Sequence, residues 1–168
     1  MPRPAANDVK PFKHAAADES PGFLLWKVTA LWQRQLATAL AELGITQTQY
    51  AILASLRWFE TQSTPPTQTG LGEHAKIEKM TLSKAIRQLE AKGLVTRASA
   101  PNDSRAVAVR FTEKGRKLVQ RAVVAIEDAD DSFFAALKGR ELAVYKSLAR
   151  RLIAGNDPPI RRSEKWPQ

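Results

Sequence analysis

Between Lys76 and Arg97 lie the basic residues Lys76, Lys79, Lys84, Arg87, Lys92 and Arg97, opposed only by the acids Glu78 and Glu90. In the same stretch Ile77, Leu82, Ala85, Ile86 and Leu89 recur at helical spacing and form an apolar stripe. Lys79, Thr81, Ser83, Lys84 and Arg87 are then left to project outward near the N-terminal half of one helix. Cationic and hydroxyl donors placed this way suit phosphate oxygens and the base edges of a major groove. An exposed face of Lys, Ser and Thr is common on any soluble helix, so the face alone decides little. What decides is the charged hairpin pattern that follows it directly, a wing able to reach an adjacent minor groove.

Such a face needs a scaffold, and the chain is long enough to supply one. Its 168 residues suit one domain of about 150 residues with modest tails. With Lys and Arg at 26 against 17 Asp and Glu, the formal net charge is +9, and the resulting field attracts polyanions. There is no cysteine, which excludes disulfides, thiol nucleophiles, thiolate metal sites and thiol redox sensing. His14 and His74 stand alone, without metal-ligand spacing. Asp128, Asp130 and Asp131 crowd one helical segment and read as a solvated face. With no nucleophile elbow, phosphate-cradling loop or metal cluster, an enzyme is rejected and neither cofactor nor metal is expected. No apolar run resembles a signal peptide or a membrane span, which points to a cytoplasmic protein without a membrane partner.

The elements follow from caps and periodicity. Residues 1–19 and 156–168 read as flexible tails. Ser20 followed by Pro21 opens a long helix with Leu25, Val28, Trp32, Leu36, Ala39 and Leu43 in its stripe, stopped by Gly44. Thr46 and Gln49 form a capping-box pair for a second helix carrying Tyr50, Leu53 and Leu56, which ends before Pro65. Thr67 caps a short third helix to His74, weakened by Gly70 and Gly72, and a fourth runs from about Glu78 to Lys92 before Gly93. Leu94–Ser99 and Arg105–Phe111 are short runs rich in small and β-branched residues, and Ala100-Pro101-Asn102-Asp103-Ser104 between them is turn chemistry, so the pair reads as a β-hairpin. Thr112 caps a fifth helix with Leu118, Ala122, Ile126, Ala129, Phe133 and Leu137 in its stripe, and Leu142, Tyr145, Leu148 and Leu152 mark a sixth. The fold class is mostly α with a small β-hairpin: a winged helix-turn-helix domain framed by helices from both ends.

These residues resemble the multiple-antibiotic-resistance regulator (MarR) family of winged-helix transcription factors. The run Thr81-Leu82-Ser83-Lys84-Ala85-Ile86-Arg87-Gln88-Leu89-Glu90-Ala91-Lys92-Gly93-Leu94-Val95-Thr96-Arg97 is similar to that family's recognition helix and first wing strand. Asp103-Ser104-Arg105 resembles its Asp-x-Arg wing motif, Phe111-Thr112-Glu113-Lys114-Gly115 its strand-to-helix junction, and Leu43-Gly44-Ile45-Thr46 with Gln49 the junction of its first two helices. The resemblance covers about Pro21 to Ile153. Two departures are visible: Ser104 stands where many members carry a second wing arginine, and Gly70 and Gly72 replace better helix formers.

The resemblance implies a single domain over residues 20–155, with dimerisation helices at 20–44 and 116–155 and a DNA-binding part at 46–115. It implies a homodimer on double-stranded DNA, a repressor of an inverted-repeat operator, with Lys76, Lys79, Thr81, Ser83, Lys84 and Arg87 on the helix-turn-helix and Asn102, Asp103 and Arg105 on the wing. It also implies release by a small effector, with aromatic acids as the default class, and Trp26, Trp32, Arg34 and Tyr50 are the candidates to line its pocket, although aromatic burial needs no further purpose. The rival reading is a non-specific architectural nucleic-acid-binding protein using the same charge. Concentration of Thr81, Ser83, Lys84 and Arg87 at one helix end favours the sequence reader, because a shape reader has no need of it.

Overall fold

The computed structural model describes residues 13–62, 65–100 and 103–156. The expected tails therefore lie mostly outside the described residues, as does Asn102. The elements run in the order of a 3₁₀ turn at Ala17–Glu19, α1 Pro21–Ala41, α2 Gln47–Phe59, α3 Gln68–Ala75, α4 Lys79–Ala91, β1 Val95–Ala100, β2 Asp103–Phe111, α5 Glu113–Phe134 and α6 Glu141–Asn156. The chain divides into two compact units, one ending at Arg34 and one beginning at Gln35. None of the described helices is long and apolar enough to cross a membrane.

In the first unit Ser20 Oγ accepts the Phe23 N–H at 3.3 Å, satisfying one orphan donor at the start of α1. Leu25 and Trp26 are 62% and 67% exposed. Only Leu36 and Leu40, farther along and within the second unit, are buried on this helix. There Gln35 Nε2 donates to the Ala129 carbonyl at 2.8 Å, tying the C-terminal end of α1 to α5.

The second unit is built around α2, which packs against α3, α4, α5 and β2. Its start obeys the local code: Thr46 Oγ1 accepts the Gln49 N–H at 3.2 Å and Gln49 Oε1 accepts the Thr46 N–H at 3.3 Å, a complete capping box. Ile52, Leu53 and Leu56 of α2, Leu71 of α3, Ile86 and Leu89 of α4, Val95 and Val109 of the hairpin and Val119 of α5 are all buried and form the core. Thr67 caps α3 through the Gly70 N–H at 3.1 Å, as its position implies.

Gly72, which looked like a poor helix former, has a packing reason. A Cβ there would stand 2.8 Å from Leu82 Cδ2, so the glycine lets α3 and α4 approach. Gly115 does the same at the start of α5, where a side chain would run into the Leu94 carbonyl. Thr112 secures this junction by accepting the Gly115 N–H at 3.0 Å and donating to the Gly93 carbonyl at 2.7 Å.

The hairpin pairs Val95 with Phe111 through Ser99 with Val107, then shifts so that Ala100 pairs with Asp103. The expected five-residue turn is thus shorter, and residues 104–106 form an irregularity in β2 that places Arg105 on a bulged segment. A further edge was not legible in the sequence: Thr67 bridges Ala108, and the Val109 N–H donates to the Pro66 carbonyl at 3.1 Å. Proline suits this position because only its carbonyl is needed.

Two expectations require correction. On α5 the buried line is Gly115, Val119, Ala122 and Ile126, whereas Leu118, Ala129 and Phe133 are half-buried. The Leu94 backbone sets the rotation of the helix at Gly115, turning Leu118 off the core. Leu137 falls beyond the helix, in the turn that leads through the left-handed Gly139 into α6. No residue of α6 is fully buried; Leu142 is half-buried and the Tyr145 ring lies 5.2 Å from that of Phe134, but Leu148 and Leu152 of the stripe are not spent inside the protomer.

Candidate nucleic-acid interface

The rotation of α4 is set by its buried residues, Leu82, Ala85, Ile86 and Leu89. At about 100° per residue the direction opposite to them passes through Met80, Lys84, Arg87 and Ala91, with Thr81 on one flank and Ser83 on the other. Met80, Thr81, Lys84 and Arg87 are exposed and Ser83 is half-buried. Arg87 is not a loose cation: its Nη2 donates to Ser83 Oγ, one turn earlier, at 2.9 Å. That bond uses only one of the five N–H donors of the guanidinium.

Glu78 caps α4, a role outside the usual N-cap residues. Its Oε2 accepts the Met80 N–H at 2.9 Å and the Thr81 N–H at 3.1 Å. These backbone donors, Met80 first and Thr81 second, hold the carboxyl below its ordinary range. They also occupy the N-terminal amides that would otherwise attract a phosphate, so anion contacts in this part of α4 fall to side chains. Just upstream, Lys76 ends α3 in the left-handed region, with φ of 54°, and its N–H donates to the Gly72 carbonyl. Lys79 is the first residue of α4 and is exposed.

A groove of about 610 Å³ between α3 and α4 is lined by Gln68, Thr69, Lys76 and Lys79 together with Gly72, Ile77 and Leu82 and the acids Glu73 and Glu78. Gln68, Thr69 and Met80 were missed at the sequence level. The Thr67 cap was a signal for the first two, since it puts them in the first turn of the leading helix of the motif. Met80 carried no signal, because an apolar residue next to a buried stripe reads as core.

Two of the six basic residues that drew attention do not belong to the outward face. Lys92 Nζ donates to the Gly44 carbonyl at 2.6 Å and to Gln49 Oε1 at 3.1 Å, while Gln49 Nε2 donates to Gln88 Oε1 at 3.1 Å. The lysine therefore joins the end of α4 to the turn before α2. Arg97 pairs with Glu90, Nη2 to Oε2 at 2.6 Å, fastening β1 to α4. The Glu90 carboxyl is held low chiefly by its hydrogen bond from Arg97. On the wing, Arg105 is exposed and Asp103 opens β2.

His74 closes α3 rather than standing at the surface. Its ring stacks on Trp58 with centroids 4.7 Å apart, and Nδ1 lies 2.9 Å from Ser55 Oγ. Among the described residues, no group of three or more His, Asp or Glu is arranged to hold a metal ion. The four effector-pocket candidates are divided: Trp26, Trp32 and Arg34 belong to the first unit and Tyr50 to the second. The Tyr50 hydroxyl is pushed up to about 12, by burial first and then by Glu127 and Asp130.

A helix-turn-helix with an outward cationic face, followed by a two-stranded wing and closed by α5, defines the winged-helix class of DNA-binding domain. Comparison with known proteins agrees. The MarR family matches residues 45–107. The uncharacterized HTH-type transcriptional regulator YdcH of Bacillus subtilis is 36% identical over 129 residues, covering 77% of this chain and 88% of its own. The HTH-type transcriptional repressor Rv2887 of Mycobacterium tuberculosis is 28% identical over 137 residues, covering 81% of this chain and 96% of its own. The crystal structure of a mutant MarR from Escherichia coli complexed with operator DNA superposes with a TM-score of 0.70 at 26% identity, over 79% of this chain and 92% of that one. The chain belongs to the MarR family.

Proposed function

We propose that the protein is a sequence-specific transcriptional repressor that binds an inverted-repeat operator in double-stranded DNA as a homodimer and is released by a small, aromatic effector. The observation that carries the DNA part is the outward face of α4, where Lys84 and Arg87 stand with Thr81 and Ser83 over a fully buried backing. Packing of the opposite face fixes the backbone of α4, so the helix need not reorder to present these donors. Arg105 on the bulged wing supplies the second contact, since a narrow minor groove attracts arginine. Repression is supported by the likeness to the mycobacterial repressor, and an operator target by the likeness to the Escherichia coli protein held on operator DNA.

Dimerisation is supported by α6, where Val144, Tyr145, Leu148, Leu152 and Ile153 are between 41% and 62% exposed at helical spacing. Such an exposed apolar face calls for a partner surface, and a second copy meets it by two-fold symmetry. The effector part rests on the exposed aromatic side chain of Trp26 and on Arg34, a cation suited to a carboxylate. Burial first, and then Glu127 and Asp130, keep the Tyr50 hydroxyl protonated, so it acts as a neutral hydrogen-bonding group.

Footprinting the region upstream of the protein's own gene tests the reading. Protection of an inverted repeat with half-sites about one helical turn apart is the expected result, lost on adding an aromatic acid that also quenches tryptophan fluorescence. Uniform protection of all sequences supports the architectural alternative, and a single 18.6 kDa species in sedimentation at micromolar concentration overturns the dimer.

A further inference from the structure

The most exposed of the large apolar side chains described is Met80, at 72%. It does not belong to an uncovered apolar patch on α4. It opens the outward stripe, one turn before Lys84 and two before Arg87 and with Thr81 and Ser83 on the flanks, on the side opposite Leu82, Ala85, Ile86 and Leu89. Its own N–H is held by Glu78 at 2.9 Å, so the residue sits in a well-anchored first turn. An apolar side chain exposed at the N-terminal end of a polar reading face has one natural complement in a major groove, the C5-methyl group of thymine.

Seven residues farther, Arg87 lies within about 20° of the same direction around the helix axis. Ser83 Oγ accepts one guanidinium proton at 2.9 Å, leaving a pair of parallel N–H groups of the kind that meets guanine O6 and N7. Along the axis seven residues rise about 10.5 Å, so a helix lying along the groove spans about three base steps at 3.4 Å each between the two residues.

Building on the sequence-specific reading above, we propose that Met80 and Arg87 are the specificity-determining pair: Met80 reads a thymine methyl, Arg87 reads a guanine about three base steps away in the same half-site, and Ser83 is the positioning residue for Arg87. The lysines supply charge without base choice.

Selection from a random-sequence duplex library by the full-length protein tests this. The expected consensus carries an A·T and a G·C pair about two to four steps apart in each half-site. In the selected duplex, replacing that thymine by deoxyuridine removes only the methyl and weakens wild-type binding roughly fourfold, the value of one buried methyl-sized group. Replacing the guanine by 7-deazaguanine removes only N7 and weakens binding about tenfold. Met80→Ala abolishes the first discrimination and leaves the second intact. Arg87→Ala does the reverse. Ser83→Ala, which removes the hydroxyl that holds the Arg87 guanidinium, reduces the 7-deazaguanine effect, and Ser83→Thr restores it.

The side chains of Met80 and Arg87 are exposed, and unchanged far-ultraviolet circular dichroism confirms that their variants fold. A consensus without this pair, or methyl discrimination that survives Met80→Ala, overturns the assignment while leaving sequence-specific binding in place. Enrichment of no consensus overturns the sequence-specific reading itself, and this assignment with it.

Discussion

Helices α4 and α6 are both short, amphipathic and exposed along one side, yet they are used in opposite ways. On α4 the apolar side is consumed by the core, with Leu82, Ala85, Ile86 and Leu89 buried, and the exposed side is donor-rich. On α6 nothing is buried, and the exposed surface includes Val144, Tyr145, Leu148, Leu152 and Ile153. A helix whose apolar face is satisfied at home can offer its polar face to a polyanion. One whose apolar face is unsatisfied has to find apolar surface elsewhere, and most helical stability comes from such packing. The same periodicity in the sequence thus marks two kinds of interface, and the state of the apolar side tells them apart.

The two uses separate most completely if α6 is made polar. Leu148→Glu together with Leu152→Glu should convert the dimer to a monomer, since the four leucines of a dimer represent on the order of 6 kcal/mol of burial. Sedimentation velocity reads the outcome; a dimer that persists at micromolar concentration removes α6 from the interface. The protomer core, which uses no α6 side chain, should keep its circular dichroism signal.

On α4 the corresponding substitution acts on DNA and not on assembly. Arg87→Ala should cost roughly 1 to 3 kcal/mol on a selected duplex and much less on random DNA, with sedimentation unchanged. Equal losses on both duplexes contradict a base-reading role.

Lys92 provides a control from within the same region of the chain. Because its ammonium holds the Gly44 carbonyl and Gln49, Lys92→Met should lower unfolding stability by about 1 to 2 kcal/mol, as for two lost hydrogen bonds at the surface. Its effect on DNA should be small and indifferent to sequence. Denaturant titration beside anisotropy measurements separates the two, and a selective loss of operator affinity without loss of stability would contradict this placement.

The smallest expected effects are those of pH. Burial alone would raise the Glu60 carboxyl, but hydrogen bonds from Arg116 and then Arg57, at 2.5 Å and 2.9 Å, hold it low; Glu78 is held low by backbone donors. A carboxyl depressed in the folded state contributes stability that is full above its unfolded pKa of about 4.3 and is lost as pH falls through the lower folded value. Stability should therefore be flat from neutrality to about pH 5 and decline below it. Glu60→Gln and Glu78→Gln should each flatten part of that decline in acid titrations of thermal unfolding, and a decline unchanged in both variants would assign it to other carboxylates.

Most of this architecture was legible because its signals are local. Thr46 with Gln49, Thr67 and Thr112 announce helix starts by chemistry that spans three residues, and all three caps are made. The core stripe of α4, Leu82, Ala85, Ile86 and Leu89, fixes by itself which side of that helix faces out. Periodicity cannot say whether an apolar stripe is covered by the same chain, so α1, α5 and α6 looked alike in the sequence, although α5 is buried along one line and α6 along none.

Partnerships between distant residues became visible only in the folded chain. Lys92 looked like one more cation of a basic face until the turn at Gly44 came within 2.6 Å of it, and Arg97 until Glu90 did. Gly72 looked like a defect until Leu82 lay where its side chain would be. The shortening of the wing turn and the Pro66 edge on β2 likewise depend on segments brought together by folding. The difference is one of range: caps, turns and helical faces are settled by interactions within about one turn of chain, and the amino-acid sequence carries them directly. Whether a charge is spent inside the molecule or offered outside it depends on groups far along the chain, whose approach is set by the packing of the whole core.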